Sequence, residues 1–333
     1  MDSPALAGWL REGQLRDDEE RNTMRIPARL SKVHVGTRIA TVALGIAALT
    51  RTGGGQTCGT PGEREPTEAR SSLAAAEQDA AAAMGGMGFG ETLPGILTDD
   101  GVVLVANAPV IRGRENVVRL LSVMPGRRAP QTWQPLRVLV SRDGLLGTTF
   151  GISAIGPGAG RPSTLARYIT VWRCNAQNSW QAVAHADIRP TPPTLRLPPD
   201  IPLTLGDSSP RDAFARADLD FARLAADSGA PNAFARYAAP DAVTFAGSGE
   251  INIGPSGIRA RMMEGRAGAQ WRWHPVVSIV AATGDLGATV GEAEIRVPGA
   301  APFYSKYLTV WQRQPDGSLK FIVDGGNARP GPR

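Results

Sequence analysis

At 333 residues and 42% hydrophobic content, the chain is long enough for two ordinary domains and a tail. Its formal charge of +5 comes almost entirely from dispersed arginines, with lysine only at Lys32, Lys306 and Lys320, and the absence of a basic patch interleaved with aromatics argues against nucleic acid as a partner. Two cysteines, Cys58 and Cys174, are too few for a disulfide framework, no Cys/His spacing suits a metal, and no motif calls for a cofactor.

Residues 1–62 read as a leader. After an acidic, polar start comes MRIPARLSKVHVGTRIATVALGIAALT at 24–50, where Arg25, Arg29, Lys32 and Arg38 precede an apolar run at 39–49. A basic stretch followed by a short apolar one is the pattern of a secretory signal, and the run falls short of the roughly 20 residues of a spanning helix. The expectation is a signal segment within 24–58, translation starting at Met24 rather than Met1, and export to the periplasm or cell envelope. A cytoplasmic protein with a buried amphipathic helix is the alternative. Cys58, in GGGQTCG, stands where a lipid anchor would be attached, although Gly55, Gln56 and Thr57 match the usual triplet poorly. Cys174 has no basic neighbour by spacing and reads as an inert strand thiol.

Residues 63–192 form a first domain whose helix is a run of alanines at 71–88. GGMGFGE, at 85–91, follows a helix instead of a strand, so it is no phosphate loop. YITVWRCNAQNSWQAVA, at 168–184, alternates about an Asn-Ser turn and predicts a hairpin. Prolines through 191–210 then forbid a continuing ladder or helix and mark a semi-rigid linker at 193–207. In the second domain, 208–333, Phe214, Ala217, Phe221, Leu224 and Ala225 share one stripe of a helix over 212–226. A short helix at 233–237, a strand with Val243 and Phe245, and a helical piece at 258–263 opened by Gly254 come next. From Trp271 onward strands alternate with turns. YLTVWQRQPDGSLKFIV, at 307–323, is a hairpin on Asp316-Gly317 in which Tyr307, Thr309 and Trp311 share one face and Leu308 and Val310 the other.

The two domains spell the same order. Residues 71–88 lie 141 positions before 212–229, Trp133 and Pro135 lie 140 before Trp273 and Pro275, and the two hairpins are 139 apart. A whole domain has been duplicated, each copy placing helices before a run of strands, which is an α+β pattern.

The second copy, with AFARADLDFARLAADSGAPNAFARYAAPDAVTF, GDLGATVGEAEI and YLTVWQRQPDGSLKFIVDGG, resembles the SnoaL-like branch of the nuclear transport factor 2-like superfamily, and the first is similar but eroded. The resemblance implies two tandem cone-shaped α+β barrels, each a curved antiparallel sheet wrapped on helices around an open, partly apolar pocket, with the sheets packed as a pseudo-dimer within the chain. Isomerases, cyclases, dehydratases, ligand binders and assembly modules share this fold.

Asp218 sits at the edge of the apolar stripe, so its carboxylate leans toward the sheet, and Glu77 holds the matching place in the first copy. A desolvated carboxylate there can act as a general base, or it can be a structural acid bonded to an Arg, a Trp or backbone donors. His185 and Asp324 occupy matching hairpin ends, and the pairing does not repeat, so both histidines outside the leader, His185 and His274, read as surface or strand-end residues. Phe221, Trp273, Tyr307 and Trp311 are candidate walls for a small apolar or aromatic ligand. Two functions remain open: a non-catalytic ligand-binding or scaffold protein, or an isomerase or lyase in which Asp218 removes a proton beside a carbonyl while Tyr307 or Trp273 holds the enolate.

Overall fold

The computed structural model describes Cys58 and residues 66–124, 128–156, 164–188, 212–245, 251–265 and 268–332. The expected signal segment apart from Cys58, the linker at 193–207 and both candidate start sites lie outside these residues. Among the described residues no helix is long and apolar enough to cross a membrane.

The first copy runs α1 (Pro66–Met87), α2 (Phe89–Ile96), β1 (Leu97–Leu104), β2 (Ile111–Arg112), α3 (Arg114–Val123), β3 (Gln131–Val140), β4 (Leu146–Ile155), β5 (Thr164–Cys174) and β6 (Trp180–Ile188). The second repeats it as α4 (Asp212–Ser228), α5 (Ala230–Tyr237), β7 (Ala238–Phe245), β8 (Ile251–Ile253), α6 (Gly254–Gly265), β9 (Gln270–Val280), β10 (Leu286–Arg296), β11 (Phe303–Arg313) and β12 (Leu319–Ala328). Gly88 and Gly229 stop the long helices and start the short ones, both at φ 82°, a conformation that a side chain would oppose.

Strand order is the same in both: β2-β1-β6-β5-β4-β3 and β8-β7-β12-β11-β10-β9. Each sheet is mixed, not antiparallel throughout as expected, because β1 runs parallel to β6 and β7 parallel to β12. Adjacent strands joined by hairpins must reverse. The first and last strands of a copy are separated by a helix and four strands, so no hairpin forces their direction.

The long helices press close on the sheets. A Cβ at Gly147 would come within 2.4 Å of the Leu73 side chain, and one at Gly287 within 2.7 Å of the Phe214 ring. Leu73 and Phe214 hold matching places in the two copies, as do the glycines, so both copies have the same close approach.

Leu73, Met84, Leu93, Val117, Trp133 and Trp172 belong to the first cone's own core. The second core continues past its sheet. Phe214, Phe221, Trp311 and Phe321 lie in the same cluster as Leu139, Phe150, Ile169, Val171 and Ile188 of the first copy and Phe245, Leu308 and Val310 of the second. The strands' alternate side chains therefore do two jobs: one set fills a cone, the other packs copy against copy. Gly325 marks the closest point, where a Cβ would meet Ile188 at 2.5 Å and Ile169 at 3.4 Å.

Polar groups fix the register of the two sheets. Arg137 of β3 forms a buried ion pair of 2.7 Å with Asp241 of β7. Asn327 donates to the carbonyls of Leu104 and Asp187, the Asn107 amide to Ala328, and the Arg142 amide to Asp285.

The cysteines overturn one expectation. Cys174 is not a free thiol: it is bonded to Cys58, which is 1% exposed and packs in the first core. The Cys58 amide also donates to the carbonyl of Asn178 at 2.7 Å, in the turn between β5 and β6. A sulfur bonded to another sulfur is not available for a thioether, so the lipid anchor considered for Cys58 has no place in this structure.

Candidate functional site

α4 carries Asp218 on the face that β9, β10 and β11 cover, and the residue is 1% exposed. Two strands deliver donors to it. The Trp273 indole donates to one carboxylate oxygen at 2.9 Å and the Tyr307 hydroxyl to the other at 2.9 Å. Alongside, the Trp311 indole donates to the Thr289 hydroxyl at 2.9 Å. Burial raises the Asp218 pKa, while Thr289, Tyr307 and Trp273 pull it back.

The first copy rebuilds the cluster around Glu77, which is fully buried. Thr149 donates to Glu77 at 2.9 Å and the Trp172 indole to Thr149 at 2.9 Å. Tyr168 and Trp133 sit close enough to lower the Glu77 pKa, yet neither closes a hydrogen bond to it. Desolvation dominates and lifts Glu77 to about 7.

One step further along the sheet the copies diverge. His185 is 1% exposed, which corrects the surface or strand-end reading, and its Nδ1 is 3.0 Å from the Thr170 hydroxyl. Phe89, Trp133 and Tyr168 surround it, with ring centroids 5.7, 5.1 and 6.4 Å away, and burial drives its pKa down to about 3, so it is neutral. His274, by contrast, is exposed as expected. Asp324 takes the His185 place in the second copy and accepts a 2.5 Å hydrogen bond from Thr309. Desolvation, with Asp218 nearby, raises it to about 7. Where Phe89 seals the first cone, the second has Ala230, and both Asp324 and Trp273 are only half-buried where His185 and Trp133 are buried.

Raised carboxyls have a definite pH signature. Folded Asp324 holds its proton up to about 7 while the unfolded side chain loses it near the ordinary 3.8, so its contribution is most favourable below the lower value and is lost as pH rises to the upper one. Glu77 acts in the same sense, and the neutral burial of His185 acts in the opposite sense below its ordinary 6.5. Urea unfolding of Asp324→Asn, compared with wild type between pH 5 and pH 8, isolates the first term: the variant loses less stability across that window than wild type does.

The aromatics expected to line a ligand pocket are in large part core. Phe221 and Trp311 are 2% and 0% exposed, and Phe221 meets Trp273 edge-on at 4.7 Å and Phe234 at 4.7 Å. Sequence reasoning set Tyr307 or Trp273 on an enolate beside Asp218, whereas both donate to Asp218 itself, and it did not nominate Thr149, Thr289, Thr170 or Thr309 for the site. All four recur in register between the copies, and that recurrence was the available signal. Two surface depressions also stand out, one of about 410 Å³ between α4, α5 and the β11–β12 turn and one of about 450 Å³ between α1 and β3, and neither Asp218 nor Glu77 lines them. Among the described residues no group of acidic, His or Cys side chains could hold a metal ion.

No family model matches the sequence, and no curated protein does. Solved structures do match. One is a Nostoc punctiforme domain of unknown function with a cystatin-like fold, 14% identical over 36% of this chain and 77% of its own, with a TM-score of 0.32. Another, a nuclear transport factor 2-like protein of Novosphingobium aromaticivorans, is 17% identical over 35% of this chain and 80% of its own, with a TM-score of 0.30. A ketosteroid isomerase-like protein of Erwinia carotovora atroseptica is 12% identical over 36% and 96%, with a TM-score of 0.32. Each match spans little more than a third of this chain, and the repeated strand order by itself shows two α+β units in tandem. In each unit the helical acid meets donors from the sheet.

Proposed function

We propose that this is an exported, non-catalytic binding protein of the SnoaL-like branch, in which the first cone is a sealed packing partner and the second takes a small apolar or aromatic ligand. One observation carries the reading: Asp218 is already satisfied on both oxygens by Trp273 and Tyr307. The residues that would have to hold an enolate donate to the base itself, so the cluster works as a brace between helix and sheet. The half-buried Asp324 and Trp273, with Ala230 in place of Phe89, support the choice of the second cone. A disulfide in a two-cysteine chain supports an oxidising compartment, in keeping with the basic-then-apolar leader.

The test is a thermal-shift screen of flat apolar compounds against wild type, Ala230→Phe and Asp218→Asn. A hit should stabilise wild type and lose its effect in Ala230→Phe, whose ring occupies the place that Phe89 holds in the first cone. Asp218→Asn should retain the hit, because the ligand does not need the carboxylate's charge. An isomerase or lyase reading draws on the raised pKa of Asp218, and it prevails if any hit is turned over by wild type and not by Asp218→Asn.

A further inference from the structure

The duplication gives every feature of one copy a control in the other, and at one place the two controls disagree completely. In the first copy the space beside the β5–β6 turn is filled by Cys58, bonded to Cys174 and donating to the Asn178 carbonyl. The corresponding residues of the second copy are Arg313 for Cys174 and Gly317 for Asn178, and both turn residues share a positive φ, 57° and 81°. There the Arg313 side chain has taken over the contact: its Nη1 donates to the Gly317 carbonyl at 2.8 Å and its Nε to the Gly284 carbonyl at 3.0 Å. The turn is therefore held by a side chain of its own hairpin. What remains is a groove of about 410 Å³, lined by Arg216, Arg236, Arg313 and Lys320 against a single acid, Asp220.

None of the four cations has a cationic counterpart. Ala75, Gly95, Cys174 and Gln181 occupy their places in the first copy. Arg236, Arg313 and Lys320 are like charges gathered on one helix and a hairpin, and among the described residues that line the groove Asp220 is the one acid. Asp220 is already paired with Arg223, and Asp316, outside the groove, is bonded to Ser318. Arg313 Nη2 is buried and has no hydrogen-bond partner among the described residues, which is a costly state for a guanidinium donor. Lys320 donates to the Arg236 carbonyl at the end of α5, and its pKa is lowered by burial and by the Arg236 charge. Tyr237 supplies an apolar wall on which Lys320 stacks at 6.0 Å. A charge-assisted acceptor would satisfy the orphaned guanidinium donor and relieve the crowding at once.

We propose that the groove between α4, α5 and the β11–β12 turn is an anion-binding site for a ligand bearing a carboxylate or phosphate group, with Arg313 as its buried donor and Arg236 and Lys320 as its flanking charges. It is a surface site, distinct from the second cone's interior, and it arose where the first copy keeps a disulfide.

Isothermal titration of the full chain at low ionic strength, with inorganic phosphate and with succinate as probes and chloride as the control, decides it. Saturable binding of at least one probe is expected, weakened about tenfold or more in Arg236→Gln/Lys320→Gln, because two charges of the site are gone. That double variant touches exposed or half-buried side chains and keeps the fold testable if Arg313→Gln loosens the hairpin. Phosphate alone binding points to a phosphorylated ligand, and succinate alone to a carboxylate. Failure of both probes to bind, or binding that the double variant leaves unchanged, overturns the proposal. Ala230→Phe should leave the titration unaltered, so failure of the interior reading and of this one are told apart.

Discussion

Cys58→Ser is expected to lower the stability of the oxidised protein by about 2–5 kcal/mol, the range for losing a native disulfide, and the melting temperature by something on the order of 10 °C. The bridge spans 116 positions and encloses almost the whole first copy, from just before α1 to the end of β5. Its absence enlarges the unfolded ensemble of that copy and leaves that of the second untouched. Cys58 also contributes buried surface to the first core and a backbone hydrogen bond to the β5–β6 turn, which the released segment would surrender. Chemical denaturation with and without dithiothreitol makes the check. Wild type should fall on reduction to the level of the variant, Cys58→Ser should not respond, and Cys58→Ser/Cys174→Ser should be no worse than either single change. Limited proteolysis should cut within residues 66–188 first. An equal loss in both copies, or full stability of the reduced wild type, would show that the bridge is decoration.

The second large effect lies between the copies. Arg137→Met should cost about 3–5 kcal/mol, because it leaves Asp241 buried with its charge unmatched. The pair's side chains are 1% and 8% exposed, and the Arg137 guanidinium also sits 5.6 Å from the Phe150 ring in the intercopy core. Adding Asp241→Leu should recover most of the loss, since an apolar pair in the same space no longer carries an uncompensated charge. A double-mutant cycle measured by urea unfolding gives the coupling directly. Additive single effects would mean that the two residues act independently of each other.

Much of the architecture was legible because duplication writes a pattern twice. The stripe of Phe214, Phe221 and Ala225 and the alternation of Tyr307, Thr309 and Trp311 each predicted a local geometry that the structure contains. Helix ends differed by a few residues, as at α5, which begins at Ala230 instead of 233. The parallel pairing of β1 with β6 was not legible, since nothing in either strand encodes the direction of a partner about eighty residues away. The site was half legible. Helical periodicity turned Asp218 toward the sheet, but that its two oxygens meet Trp273 and Tyr307 depends on the pleat of two separate strands. His185 was misread for the same reason: its position near a hairpin end suggested exposure, and Phe89 from a distant helix covers it.

From its letters alone this protein settled that one α+β unit occurs twice, which residues line each strand face, and that an acid belongs on each long helix. Those are consequences of short-range periodicity and of a repeat that can be aligned by eye. Only the tertiary structure decided that Asp218 is held by an indole and a phenol and Glu77 by a threonine, that Cys58 reaches Cys174, that Arg137 meets Asp241 and that four cations gather in one groove. Each of these joins residues far apart along the chain, and a side chain's pKa, pairing and solvation belong to its neighbours in space.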